Sequence, residues 1–350
     1  MTPLLLRALR QPASLALLGL ADWDLLLCQA RQGNLMAHLA CLVDAQGLPV
    51  PVPVRRHLEW ARIVAQRHTQ AVKWEVLQIQ RALAGVGVPL ILLKGAAYVM
   101  AGLPAAQGRL FSDIDILVPK SQLNGVEAAL MLHGWAGTHH DAYDQRYYRS
   151  WMHELPPMQH IRRMTVIDVH HAILPETASL HPDPGKLRAA AQPIAGNLMV
   201  LAPIDMLLHS ATHLFHDGEL EHGLRDLLDI DSLLRGFSRQ ASFWPELLAR
   251  AAELELSRPL FYALRYAARI LHSPIPADAL DAAGRPPRPT LELLDALFLR
   301  ALMPAHPSCS DCLTGLARRL LYVRANWLRM PPLLLSRHLL HKTFMSPSVE

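Results

Sequence analysis

Cysteine is scarce in this chain. Cys28, Cys41, Cys309 and Cys312 are all that 350 positions contain, too few to staple a chain of this length, so no disulfide framework is expected and a reduced, cytoplasmic setting fits. Cys309 and Cys312 have the spacing of half a zinc site, but no second cysteine pair or suitably spaced histidine pair follows them, and zinc is not expected there. Long apolar runs are missing as well. Near the N-terminus Arg7, Arg10, Pro12, Asp22 and Asp24 confine the uninterrupted apolar stretch to residues 13–21. That is too short to span a bilayer; it reads as helix, and no transmembrane segment is expected. Acid is nearly absent from the C-terminal region. Residues 313–349 contain no Asp or Glu but carry Arg318, Arg319, Arg324, Arg329, Arg337 and Lys342. Such a one-signed tail suits RNA or anionic lipid, and a helix with Leu320, Leu321, Val323, Trp327 and Leu328 would lie on a membrane surface. A helix docked on the protein's own core is the simpler expectation. No internal repeat is present.

Apolar residues make up 51% of the chain, enough for a large core, and the length suggests about two domains. The formal charge of +4 is a mild excess that suits a phosphate-bearing partner without requiring one. Three regions separate along the chain: a helical N-terminal region over residues 1–85, an alternating strand and helix region over 86–200, and a helical region over 201–350. A proline-rich break, Leu48-Pro49-Val50-Pro51-Val52-Pro53, divides the first region and precedes a long helix over about 55–84. In that helix Trp60, Ile63, Val64, Val72, Val76, Leu77, Ile79 and Leu83 recur near helical spacing, so this side is expected to pack on the sheet. Residues 120–133 read as a helix ended by Gly134, with a strand beginning at Trp135. Pro203 and Asp205 mark the start of another helix.

The chemistry concentrates in Leu110-Phe111-Ser112-Asp113-Ile114-Asp115-Ile116-Leu117-Val118. This β-branched run reads as a strand, and alternation puts Asp113 and Asp115 on one face with Ile114 and Ile116 on the other. Two neighbouring carboxylates repel unless a proton, a basic group or a metal sits between them, and a divalent ion with hard oxygen ligands fits. Upstream, residues 88–93 read as a buried strand, and Lys94-Gly95-Ala96-Ala97 turns from it into a helix. Such a turn offers backbone N–H groups and the positive helix end to a phosphate, with Lys94 adding a point charge. Downstream, Met164-Thr165-Val166-Ile167-Asp168-Val169-His170 places a third carboxylate in a strand-forming run, which would complete an oxygen cage for two metal ions.

Together these residues resemble the DNA polymerase β-type nucleotidyltransferase superfamily, and within it the uncharacterised bacterial group with a Lys-Gly turn and an arginine ahead of D-I-D, here Lys94, Gly95 and Arg109. The turn departs from the superfamily's usual Gly-Ser or Gly-Gly, and the gap from it to Asp113 is longer than in most members. The resemblance spans about residues 88–170, with a looser likeness in the helical flanks. It implies an α+β fold, with a small mixed sheet as nucleotidyltransferase core and N- and C-terminal helical regions around it. It implies transfer of a nucleoside monophosphate from a nucleoside triphosphate to a hydroxyl-bearing acceptor, with release of pyrophosphate. Asp113, Asp115 and Asp168 would hold Mg²⁺ or Mn²⁺, Asp168 alternatively taking the acceptor proton, while Lys94, Gly95 and Arg109 would bind the triphosphate. The acceptor, whether small molecule, protein or RNA, is not written in these residues. The alternatives are a non-catalytic nucleotide-, RNA- or lipid-binding protein on the same fold, and a toxin modifying transfer RNA.

Two further clusters stay open at this level. His209 and His213 are four apart on a helix, but Ser210 stands where a zinc protease needs Glu, so that chemistry is excluded and core or cleft histidines are expected. The group with Lys-Gly turns tends to carry similar histidines, followed by a helix like Gly223-Leu224-Arg225-Asp226-Leu227-Leu228-Asp229. Tyr147, Tyr148, Arg149, Trp151 and His153 would stack on a base or grip a phosphate, or simply pack in an edge hairpin.

Overall fold

The computed structural model describes residues 2–138, 145, 148, 149, 151–218 and 220–331, and the fold is α+β. Four helices come first: α1 (Leu4–Arg10), α2 (Leu20–Gln32), α3 (Met36–Ala45) and α4 (Val52–Ala82). The proline break is the turn between α3 and α4, and α4 starts with a proline in its first turn, where the missing N–H is harmless. The strands and helices β1 (Leu90–Leu92), α5 (Lys94–Met100), β2 (Asp113–Leu117), α6 (Leu123–Leu132), β3 (Trp135–Gly137), β4 (Met158–His160) and β5 (Val166–His170) follow. The hairpin β6 (Gln192–Ala195) and β7 (Leu198–Val200) comes after α7 (Pro184–Ala189). The chain then runs through α8 (Pro203–Thr212), α9 (Gly223–Phe237), α10 (Phe243–Glu253), α11 (Ser257–Tyr266), α12 (Ala277–Ala282), α13 (Arg288–Ala301) and α14 (Thr314–Arg329).

The sheet runs β3-β4-β5-β2-β1-β7-β6. The pairs β2–β5 and β1–β7 are parallel, and the other neighbours are antiparallel. The acid-bearing strand therefore lies in the interior of the sheet. Its alternate residues Ile114 and Ile116 are buried, as alternation requires. Buried side chains from all three sequence regions, from Leu5 to Leu321, join one hydrophobic cluster.

Half of the apolar stripe expected on α4 faces the sheet. Val72, Val76, Ile79 and Leu83 are buried, whereas Trp60, Ile63, Val64 and Leu77 are exposed. A helix of this length carries more than one apolar line, and only the C-terminal half reaches the sheet. That half is fixed by Glu75, buried and accepting two hydrogen bonds from Arg163 at 2.9 Å each and one from Thr165 at 2.8 Å. Such a buried, fully paired carboxylate locates one element on another.

At the C-terminal end, α14 docks on the protein's own core through Ala317, Leu321 and Ala325. Two of its arginines point inward: Arg318 donates to the Met303 carbonyl, and Arg324 donates to the Phe215 carbonyl while stacking on Tyr262 and Phe298. Arg337 and Lys342 lie outside the described residues, as does Tyr147. Among the described residues no helix is long and apolar enough to cross a membrane. Asp205, expected as a first-turn acid, has another duty. It is 1% exposed, and Arg250 of α10 grips both its oxygens at 2.8 Å, pinning the start of α8. Removing one partner of such a pair strands a buried charge. Arg250→Ala is expected to destabilise the fold by about 3 kcal/mol in urea unfolding, and Trp60→Ala on the exposed face of α4 by no more than about 0.5 kcal/mol.

Candidate active site

The register of β2 and β5 assembles the acids. In this parallel pair Asp113 stands opposite Val166, Asp115 opposite Asp168, and Leu117 opposite His170. Residues in register share a face, so Asp113, Asp115, Asp168 and His170 all project to one side. The three predicted carboxylates are thus brought together. Lys94 joins them from the end of β1: its Nζ donates to Asp115 Oδ1 at 3.1 Å. To do so Lys94 adopts φ +45°, a left-handed conformation that a non-glycine residue adopts at a penalty of order 1 kcal/mol.

Asp115 is buried, and both of its contacts fall on one oxygen. His170 Nε2 donates to the same Oδ1 at 2.9 Å, while Oδ2 takes no hydrogen bond among the described residues. Burial alone would raise this carboxyl, but Lys94 and His170 outweigh it and hold Asp115 well below the usual carboxylate range. Its neighbours have the opposite fate. Burial first, and then the charges of Asp115 and Glu154, push Asp168 up to about 8, and burial with the Asp115 charge also raises Asp113. Asp168 Oδ1 is buried with no hydrogen-bond partner. A buried, unsatisfied oxygen of a third carboxyl beside two others is what a divalent cation would satisfy. The donor set, all carboxylate oxygen on one sheet face, fits Mg²⁺ or Mn²⁺.

A cavity of about 430 Å³ opens beside Asp113 and Asp115, lined also by Lys94, Gly95, Arg109, Ser112, His213, Glu221, His222 and Arg225; Asp168 is not among its lining residues. Sequence reading did not single out Arg225 or His222 for the site. His213 was left open, and it lines this cavity, whereas its helical partner His209 is buried and held far down toward the neutral form, by burial first and then by Lys94 and His213. His170 and Glu154 were also missed. His170 was legible in principle, since it lies two residues beyond Asp168 on the same strand face. Glu154 was not, because its arrival depends on an isolated antiparallel bridge to His170.

Arg109 and Gly95 both line this cavity, and each also has a packing duty. Arg109 was expected to present its planar fork to a triphosphate. Its Nε donates to Asp229 at 2.5 Å and Nη2 lies 3.6 Å from Asp226, both acids on α9, and the guanidinium lies against Tyr98 and Phe111. These contacts fasten the segment that leads into β2. Arg225 of α9 and Asn34 hold the same segment by donating to the Leu110 carbonyl. Gly95 was expected to let a phosphate approach the backbone. A Cβ there would lie 2.5 Å from Arg109 Nη1 and 2.7 Å from the Phe111 ring, so the missing side chain makes room for that arginine and ring.

The sequence matches the family model described as "Uncharacterised nucleotidyltransferase" over residues 20–272. The chain belongs to that family. No curated protein and no solved structure matches it. The family match takes in α2 through α11, and so includes the nucleotidyltransferase sheet, the acids, Lys94 and the Arg109-binding helix α9.

Two outcomes are expected. Gly95→Ala overpacks Arg109 and Phe111 and lowers stability by about 1–3 kcal/mol in denaturant unfolding. The raised Asp168 carboxyl gives a pH signature: between an unfolded value near 4 and a folded value of about 8 the folded chain holds the extra proton, so stability falls as pH rises through that window. In chelator the melting temperature should fall from pH 6 to pH 8.5 relative to Asp168→Asn. Added Mg²⁺ should recover more of it at pH 8.5 than at pH 6, where the proton competes with the ion.

Proposed function

We propose that this family member transfers a nucleoside monophosphate from a nucleoside triphosphate to a hydroxyl-bearing acceptor, releasing pyrophosphate, with Asp113, Asp115 and Asp168 as ligands for Mg²⁺ or Mn²⁺. The observation that carries this reading is the register of Asp115 with Asp168, with Asp113 on the same face and one Asp168 oxygen buried without a hydrogen-bond partner among the described residues. Bound divalent ions supply charge neutralisation at the α-phosphoryl group and a lowered pKa for an attacking hydroxyl.

The chain's own residues do the rest. Lys94 and His170 keep Asp115 ionised, so a ligand oxygen is present at neutral pH. The cavity wall of Lys94, Arg225, His213 and His222 carries the positive and N–H donor groups suited to a triphosphate. Lys94 is the member nearest the acids, and it is the phosphate ligand of this reading. Asp168, on the side of the carboxylate group toward Glu154, is the base that accepts the acceptor's hydroxyl proton once a cation has displaced its own. Arg109 and Gly95, at the cavity wall, also hold the segment that delivers Asp113.

The test uses each nucleoside triphosphate labelled at the α-phosphate, with Mg²⁺ and with small-molecule, RNA or protein acceptor fractions. Label should pass to one fraction with release of pyrophosphate, and Asp113→Ala, Asp115→Ala and Asp168→Asn should each lower the rate by at least about a hundredfold. Transfer of a γ-label would overturn the reading in favour of a kinase. Nucleotide binding without transfer, unchanged in both alanine variants, would favour a binding protein on this fold.

A further inference from the structure

Beside the carboxylate site lies a second group of a different chemical kind. His153, Glu154 and His170 place one potential ligand atom each within 4.8 Å of one another. His153 and His170 are buried, with their rings stacked at 5.3 Å, and the Glu154 side chain is 18% exposed, which leaves a way in from solvent. The backbone fixes all three. His171 N–H donates to the His153 carbonyl at 2.8 Å, and Leu155 N–H to the Val169 carbonyl at 2.9 Å, clamping residues 153–155 against the end of β5.

We propose that His153, Glu154 and His170 form a separate site for a borderline divalent transition-metal ion of the Zn²⁺ class, joined to the carboxylate site through His170. Three observations carry it. First, His170 Nδ1 lies 3.2 Å from Glu154 Oε2, close to the edge of about 3.3 Å of a tetrahedron with metal–ligand bonds of about 2.0–2.1 Å. Second, two imidazoles and one carboxylate select a borderline ion over Mg²⁺, and three protein ligands leave a fourth position open. Third, the other nitrogen of His170 donates to Asp115 Oδ1 at 2.9 Å. Metal-bound histidines characteristically donate their distal N–H to a carboxylate, which fixes tautomer and ring orientation. Metal entry at Nδ1 would displace any proton shared between His170 and Glu154. This site does not depend on nucleotide transfer, so it stands or falls apart from the activity.

The experiment measures Zn²⁺ affinity of the full chain by competition with a chromophoric chelator, in a Cys309→Ser, Cys312→Ser background that removes the exposed thiol pair. One Zn²⁺ per chain is expected. His153→Ala and Glu154→Gln should each weaken it at least about tenfold, with Asp113→Asn leaving it within about threefold. Co²⁺ substitution should give the visible absorption of a low-coordinate nitrogen and oxygen site, lost in Glu154→Gln. Far-UV circular dichroism identifies any variant that fails to fold, and the isosteric Glu154→Gln is the variant least able to do so. Absence of Zn²⁺ binding in the Cys309→Ser, Cys312→Ser protein would overturn the proposal, leaving His170 as a bridge between Asp115 and Glu154. Binding that survives His153→Ala and Glu154→Gln but is lost in Asp113→Asn would overturn it too, placing the ion among the aspartates.

Discussion

The crowding of negative charge on one face of an interior strand pair is the constraint from which the rest of the structure follows. Asp113, Asp115 and Asp168 share that face, and Glu154 reaches its far side through His170. Two like charges about 4 Å apart at an effective dielectric near 20 repel by about 4 kcal/mol, comparable to a large part of a domain's net stability. The fold answers with two cations placed where strands end: Lys94 in a left-handed turn and His170 on β5. They do not balance the group completely. The remainder appears as a raised pKa of Asp168, for which no direct contact to either cation is seen among the described residues.

Holding those charges in place requires rigidity in the segment entering β2, and this is where the helical part of the chain enters the site. Arg109 is buried among Asp226, Asp229, Tyr98 and Phe111, and a buried ion pair of this kind specifies geometry more reliably than it adds stability. Gly108, at φ +69°, runs so close to the Ala37–His38 backbone that any Cβ would collide with it at 2.5 Å. The loop is therefore pinched between α3 below and α9 beside it, and the position of Asp113 is set by contacts from both helical flanks.

Much of this was legible in the sequence because it rests on alternation. The strands around Asp113 and Asp168, the Lys-Gly turn and the proline at the start of α8 all follow from short-range patterns, and so does the sharing of a face by Asp113 and Asp115. The strand pairing that sets Asp115 beside Asp168 is not short-range, yet the shared residue type in two β-prone runs pointed to it. Arg109 shows where local reading stops. An arginine ahead of D-I-D reads as a phosphate ligand, and nothing local shows that the acids of α9, some 120 positions later, also hold it at the cavity wall. Likewise the apolar line of α4 carried no sign of which half would meet the sheet, since exposed and buried halves use the same residue types.

The two oxygens of Asp115 show how one charged cluster can serve chemistry rather than merely be tolerated. Oδ1 accepts from both Lys94 and His170, while Oδ2 takes no hydrogen bond among the described residues. Two adjacent carboxyls are thereby pushed to opposite ends of their titration, Asp115 ionised and Asp168 protonated near neutral pH. Environments that separate like groups in this way mark acid and base assignments. A cation drawn to the ionised Asp115 would meet Asp168 next and lower its pKa, releasing a proton and leaving a carboxylate beside the ion. Because His170 fixes Oδ1 from one side, any group bound at its Nδ1 would act on this balance through a single hydrogen bond.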